Sequence, residues 1–172
     1  MRRVLPWLLI VVLAGGYGYA RGVDDGGGGT DAGAGGNRIA RVLRVVDGDT
    51  ILVSVGGAQE RVRYIGIDTP ETVKPRTPVE CFGKKASAEN RRLVDGREVR
   101  LVADAEARDR YGRLLAYVYR ASDGLFVNAQ LVRGGYATTL TIPPNVRFAD
   151  RFRTLAAQAR EAGRGLWSAC DR

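Results

Sequence analysis

Three short β-patterned segments follow one another between Ile39 and Ile67, and the turns between them are too tight for anything but a reversal. Ile39 to Val46 ends at Asp47-Gly48-Asp49, a turn signal. Thr50 to Val55 alternates and ends at Gly56-Gly57, a two-residue hairpin signal, and Gln59 to Ile67 follows as the third strand. Three sequential strands joined this way read as an antiparallel meander, and the rest of the chain has to pack against it. Asp68 to Val79 is a loop, with Pro70, Pro75 and Pro78 preventing regular structure. Glu80 to Val94 has helical spacing, with Phe82, Ala86 and Leu93 on one side. Glu98 to Ala103 and Arg113 to Tyr119 are two further strands, joined by a polar link, DAEARDRYG, that reads as mobile. Leu125 to Arg133 is a short helix stopped by Gly134-Gly135. Ala137 to Ile142 is extended and ends at Pro143-Pro144. Phe148, Phe152, Leu155 and Ala159 then mark a helical stripe ending near Gly163, and in the tail GLWSAC Leu166 and Trp167 are expected against the core. Meander, hairpin and three helices predict an α+β domain over residues 38–172, a five-stranded OB-fold β-barrel with three α-helices.

The chain ahead of that domain differs in texture. Met1-Arg2-Arg3 and the apolar run Val4 to Ala14 lead to small residues before Ala20, so residues 1–20 read as a signal peptide or an N-terminal membrane anchor. Residues 21–37, RGVDDGGGGTDAGAGGN, form a Gly-rich flexible linker. Either reading puts the domain outside the cytoplasm, secreted or tethered by residues 4–20.

Charge narrows the partners. The formal net charge is +8, and since Arg2, Arg3 and Arg21 balance Asp24, Asp25 and Asp31, all of it lies in residues 38–172. Every basic side chain there except Lys74, Lys84 and Lys85 is arginine, the side chain suited to bidentate phosphate contacts, although arginine richness also arises from genomic composition. Histidine is absent, which excludes Ser-His-Asp triads, His-metal nuclease sites and zinc hydrolase sites built on His. Proton transfer must then use carboxylate, Lys, Tyr or water. Cys81 and Cys170 are too few for a zinc site without other soft ligands. In an exported chain they pair, and otherwise they are two separate buried thiols.

Four pieces carry candidate chemistry: Asp47-Gly48-Asp49-Thr50, Arg63, Asp68-Thr69-Pro70-Glu71 and Asp109-Arg110-Tyr111-Gly112-Arg113. Antiparallel neighbours bring the start of the second strand (Asp49) near the end of the third (Asp68). Two carboxylates with backbone carbonyls and water suit a hard cation, Ca²⁺ or Mg²⁺, rather than zinc. Glu71, three residues past Asp68 across a proline turn, can take a proton from water, and Arg63 and Arg113 can answer charge developing on a phosphoryl group. Singly, each piece reads as well as a plain turn or a surface charge. Together they supply the parts of phosphodiester hydrolysis.

DGDT, RYIGIDTPE, ECFGKKAS, DRYGRLLAY, NAQLVRGGYA and the final GLW, in this order and at this spacing from about Ile39 to Trp167, resemble the staphylococcal nuclease (thermonuclease) family. The resemblance implies an OB-fold, Ca²⁺-dependent nuclease that cuts DNA and RNA, preferably single-stranded or flexible, at the P–O5′ bond and leaves 3′-phosphates, working as a monomer. It implies Asp49 and Asp68 as carboxylate ligands of Ca²⁺ and the Thr69 carbonyl as a third. Glu71 becomes general base or water orienter, Arg63 and Arg113 bind phosphate, Tyr111 bonds a terminal phosphate, and Asp47 orders the metal's waters from behind. Two departures stand out. The family's type enzyme has a pair of tyrosines where this chain reads TTLTIPPN, which implies weaker base stacking. It also lacks cysteines, so Cys81 and Cys170 imply a stapled subgroup whose bridge ties down the C-terminus. The competing reading is a catalytically weak nucleic-acid-binding OB-fold module; the retained acids and arginines argue against it.

Overall fold

The computed structural model describes residues 37–72 and 78–170, so residues 1–20, and the linker 21–37 apart from Asn37, lie outside the described residues. The barrel is built from β1 (Arg38–Val45), β2 (Thr50–Val55), β3 (Ala58–Tyr64), β5 (Glu98–Val102) and β6 (Leu114–Arg120), closed in the order β1-β2-β3-β6-β5. All pairings are antiparallel except β3 with β6. Two further strands, β4 (Gly66–Asp68) and β7 (Thr138–Leu140), pair outside it. The helices are α1 (Gly83–Val94), α2 (Val127–Arg133), α3 (Ala149–Glu161) and a one-turn α4 (Leu166–Ala169). The five-stranded barrel and the α+β class are as expected.

Alternation fills the interior. Ile51 and Val53 of β2, Val62 and Tyr64 of β3, Val99 and Leu101 of β5, and Ala116 and Val118 of β6 are buried. In β1 the buried positions run Ala40, Val42, Val45, because a bulge between Val42 and Arg44 shifts the alternation by one residue and leaves Leu43 outside. Gly56 and Gly57 both take positive φ, 57° and 81°, as the β2–β3 hairpin requires.

The third strand does not run on to Ile67. It stops at Tyr64, and β4 leaves the barrel to pair with β7. Gly66 makes the break: its φ is 81°, and a Cβ there would lie 2.5 Å from the Phe152 ring. The buried Asn128 of α2 secures the corner, donating to the Ile65 carbonyl and accepting from the Val118 N–H, both at 2.9 Å.

Other boundaries move as well, β7 shortening to Thr138–Leu140 from the expected Ala137 to Ile142. Helix α1 starts at Gly83 rather than Glu80, because residues 80–82 are a turn with Phe82 left-handed at φ 68°. Helix α2 starts at Val127, and the tail carries the short α4, with Leu166 and Trp167 half-buried. The polar link between β5 and β6 is held rather than loose. Asp104 accepts from the Tyr117 hydroxyl at 2.8 Å and the Arg147 N–H at 3.1 Å, and the Asn145 side chain pairs with the Glu106 backbone through both its O and its N. Cys81 and Cys170 form a disulfide closing 89 residues of sequence, which in the chain-entropy view stabilises by about 4–5 kcal/mol. Among the described residues no helix is long and apolar enough to cross a membrane.

Candidate active site

The site lies where β2 begins and β4 ends. Register places Thr50 opposite Arg63, and the Tyr64 N–H donates to the Asp49 carbonyl at 2.9 Å, so the DGDT turn is tied directly to the RYIGID strand. Gly48 lets Thr69 pack against the turn, since a Cβ there would meet the Thr69 side chain at 2.5 Å. Asp49 is 4% exposed. Its Oδ2 accepts from the Thr69 N–H at 2.8 Å and the Thr69 hydroxyl at 3.0 Å, and its Oδ1 from the Thr50 hydroxyl at 3.2 Å. Asp47 Oδ1 accepts from the Asp49 N–H at 3.1 Å, closing the turn.

Arg63 joins the two expected metal acids. Its guanidinium lies 3.2 Å from Asp49 Oδ2 and 2.7 Å from Asp68 Oδ1, and it donates to the carbonyls of Tyr64 at 3.1 Å and Ile67 at 2.9 Å. Asp47, Asp49, Thr50, Arg63, Asp68, Thr69, Pro70, Glu71 and Arg113 line one polar cleft of about 80 Å³. Burial, reinforced by the Asp49 charge, pushes the Asp47 carboxyl up to about 6. Asp68 is raised too, first by burial, against the pull of Arg63.

Arg113 arrives from the other side. Its Nε donates to Asp109 Oδ2 at 2.7 Å, while Asp109 Oδ1 takes the backbone N–H groups of Tyr111 and Arg113. Burial works to raise Asp109, but these bonds outweigh it and leave the carboxyl below its ordinary value. Tyr111 stands 68% exposed, its hydroxyl accepting from Arg110 at 2.6 Å. It opens onto a second cleft of about 510 Å³, walled by Ile67, Leu140 and Ile142 and lined again by Arg63 and Arg113. The two clefts therefore share both arginines.

The fold brings together Asp47, Asp49, Arg63, Asp68, Thr69, Glu71 and Arg113, with Tyr111 on the adjoining cleft. Supporting residues without an expected role are Asp109, which orients Arg113, and the buried Asn90 of α1. Asn90 donates to the Asp47 carbonyl at 3.0 Å and accepts from the Tyr64 hydroxyl at 3.0 Å. The spacing of Asp109 four residues before Arg113 was a usable signal, whereas a lone asparagine in a helix gives none.

Among the described residues no three acids, cysteines or histidines form a metal cluster, so a cation held here would complete its shell with backbone oxygen and water. The donor chemistry fits a hard divalent cation. The acidic donors lining the cleft offer oxygen only, and two carboxyls are pushed up by burial and by a neighbouring carboxylate in this small polar space.

A closed OB-type barrel carrying an acid and arginine cleft at one strand end defines the class. The comparisons give the family. A model of the staphylococcal nuclease homologue family matches residues 61–169. A thermonuclease of Staphylococcus hyicus is 42% identical over 128 residues, 74% of this chain and 75% of the relative. A thermonuclease of Staphylococcus intermedius is 48% identical over 120 residues, 70% and 68% of the two chains. Endonuclease YncB of Bacillus subtilis is 41% identical over 127 residues, 73% and 59%. The chain belongs to the staphylococcal nuclease family.

Proposed function

We propose that this protein is a Ca²⁺-dependent phosphodiesterase that hydrolyses DNA and RNA at the P–O5′ bond and leaves 3′-phosphates. The observation that carries the reading is the sharing of Arg63 and Arg113 between the small acidic cleft and the larger one. A nucleotide in the larger cleft, beside Tyr111, would set its phosphate at the arginines with the carboxylates behind it. The relatives named as thermonucleases and an endonuclease support nuclease activity.

Asp49, Asp68 and the Thr69 carbonyl would hold Ca²⁺, with Asp47 ordering its waters; the ion supplies a Lewis acid for the phosphoryl oxygen. Glu71 orients the attacking water and receives its proton. Arg63 and Arg113 bind the equatorial oxygens as charge grows on them, and Arg113 stabilises the departing 5′ oxygen. Leu140 and Ile142 form an aliphatic wall in the segment where the family's type enzyme has tyrosines, so base binding rests on apolar contact more than stacking. We assign the protein single-stranded or flexible substrate, as the family resemblance implies, and the net charge of +8 draws in polyanions. We further assign residues 1–20 to export or anchoring, residues 21–37 to a linker and residues 38–172 to a monomeric extracytoplasmic domain; the disulfide suits that compartment.

The test is cleavage of denatured DNA with added Ca²⁺, followed by EDTA. Cleavage that stops in EDTA and leaves 3′-phosphate ends supports the reading. Unchanged activity in EDTA contradicts the metal's role, and binding without cleavage would indicate a nucleic-acid-binding module.

A further inference from the structure

Glu71 is held by a residue that the chemistry above does not use. Its carbonyl accepts from the Glu80 N–H at 3.0 Å, and its own N–H donates to Glu80 Oε2 at 3.0 Å. The segment around Glu71 is thus clasped twice by one residue nine positions later. Gly83 closes the same junction: a Cβ there would lie 2.8 Å from Thr72 Cγ2 and 3.0 Å from the carbonyl oxygens of both Glu71 and Pro70. Between Glu80 and Gly83 stands Cys81, bonded to Cys170 beyond the end of α4.

The two hydrogen bonds from Glu80 bear on the backbone of Glu71 itself, and Gly83 leaves room for its carbonyl. A side-chain oxygen accepting from the Glu71 N–H, with the reciprocal N–H on its carbonyl, restrains the φ and ψ that aim its side chain. Aim matters at this position, since a displacement of about 1 Å in a reacting group can cost on the order of 10²-fold in rate. Glu80 is itself exposed, and its turn has no side-chain cap to hold it at the start of α1. The disulfide supplies that restraint covalently.

We propose that Glu80 is a positioning residue for Glu71, acting on its backbone while the Thr72 N–H donates to its carboxylate Oε1 at 2.9 Å, and that the Cys81–Cys170 disulfide holds Glu80 in that role. The proposal rests on the assignment of Glu71 to the attacking water. It makes the rate of hydrolysis depend on the redox state of a bridge that touches no substrate.

The experiment measures kcat and KM on denatured DNA with Ca²⁺ for the wild type, Glu71→Gln, Glu80→Ala, Glu80→Gln and the Glu71→Gln/Glu80→Ala double variant. Circular dichroism confirms the fold, and hydrogen exchange of the Glu71 amide is followed in parallel. Glu80→Ala is expected to lower kcat by about 10- to 100-fold with KM within about twofold, and to speed exchange of the Glu71 amide. Glu80→Gln keeps an acceptor oxygen and should recover most of the rate. The double variant should be no slower than Glu71→Gln alone, since a misplaced side chain costs nothing once its chemistry is gone. A near-wild-type kcat for Glu80→Ala beside a crippled Glu71→Gln would overturn the proposal, as would multiplicative losses in the double variant. A fully active Glu71→Gln would instead overturn the role given to Glu71. For the disulfide, Cys81→Ser/Cys170→Ser should shift kcat and amide exchange in the same direction as Glu80→Ala, and an unchanged kcat would remove the bridge from the account.

Discussion

Arg63 and Arg113 face the same two clefts and are held in opposite ways. Arg63 is anchored across the fold: 14% of its side chain is exposed, and it touches Asp49, Asp68 and the carbonyls of Tyr64 and Ile67. Arg113 is anchored within one turn, 31% exposed, with Asp109 four residues earlier as its carboxylate partner. The first arginine is therefore part of the scaffold that gathers the acids. The second pairs with Asp109, apart from that scaffold. A cationic site can combine one group that organises the carboxylates with another kept for the charge that appears during reaction.

This contrast fixes what substitution should do. Arg113→Ala should lose about 10²–10³ in kcat while its unfolding free energy changes by no more than about 0.5 kcal/mol, because a local, partly exposed pair adds little stability. Equal destabilisation by both arginine variants would erase the distinction. Arg63→Ala should lose rate and also about 2–3 kcal/mol of stability, since it strands the buried Asp49 beside Asp47; urea unfolding measures this. Asn90→Ala should cost about 2 kcal/mol, leaving the buried Tyr64 hydroxyl and the Asp47 carbonyl without a partner, and should reach kcat only through the DGDT turn.

The smallest effect concerns pH. The folded chain holds a proton on Asp47 up to about 6, whereas an unperturbed aspartate releases it near 3.8. Stability from this group is thus present below pH 4 and declines as pH rises through 6. In EDTA, Asp47→Asn should be more stable than the wild type at pH 7 by about 1–2 kcal/mol and nearly equal to it at pH 3.5. Thermal unfolding at the two pH values checks this, and a pH-independent difference would contradict it.

The barrel was legible because hairpin glycines and alternation are local signals: Gly56-Gly57 and the Thr50–Val55 pattern needed no tertiary information. The exit of β4 was not, because Gly66 looks like any strand glycine until Phe152, far along the chain, is seen to fill the space beside it. The same division runs through the site. Asp49 and Arg63 were readable together because strand register converts sequence order into proximity, whereas Asp68 reaches them on β4, past the break at Gly66. The grip of Glu80 on Glu71 and of Asn90 on Asp47 depends on where α1 docks, which helical periodicity does not specify. The link between β5 and β6 looked loose because its anchors, Asn145 and Arg147, lie outside it in sequence.

The most direct measurement of the central claim is the initial rate on denatured DNA of the wild type and Glu71→Gln at saturating Ca²⁺, with Ca²⁺ affinity determined alongside. The account predicts a rate lower by at least about 10²-fold with Ca²⁺ binding retained, because Glu71 acts on the water while Asp49 and Asp68 hold the ion. Equal rates for the two proteins would contradict it.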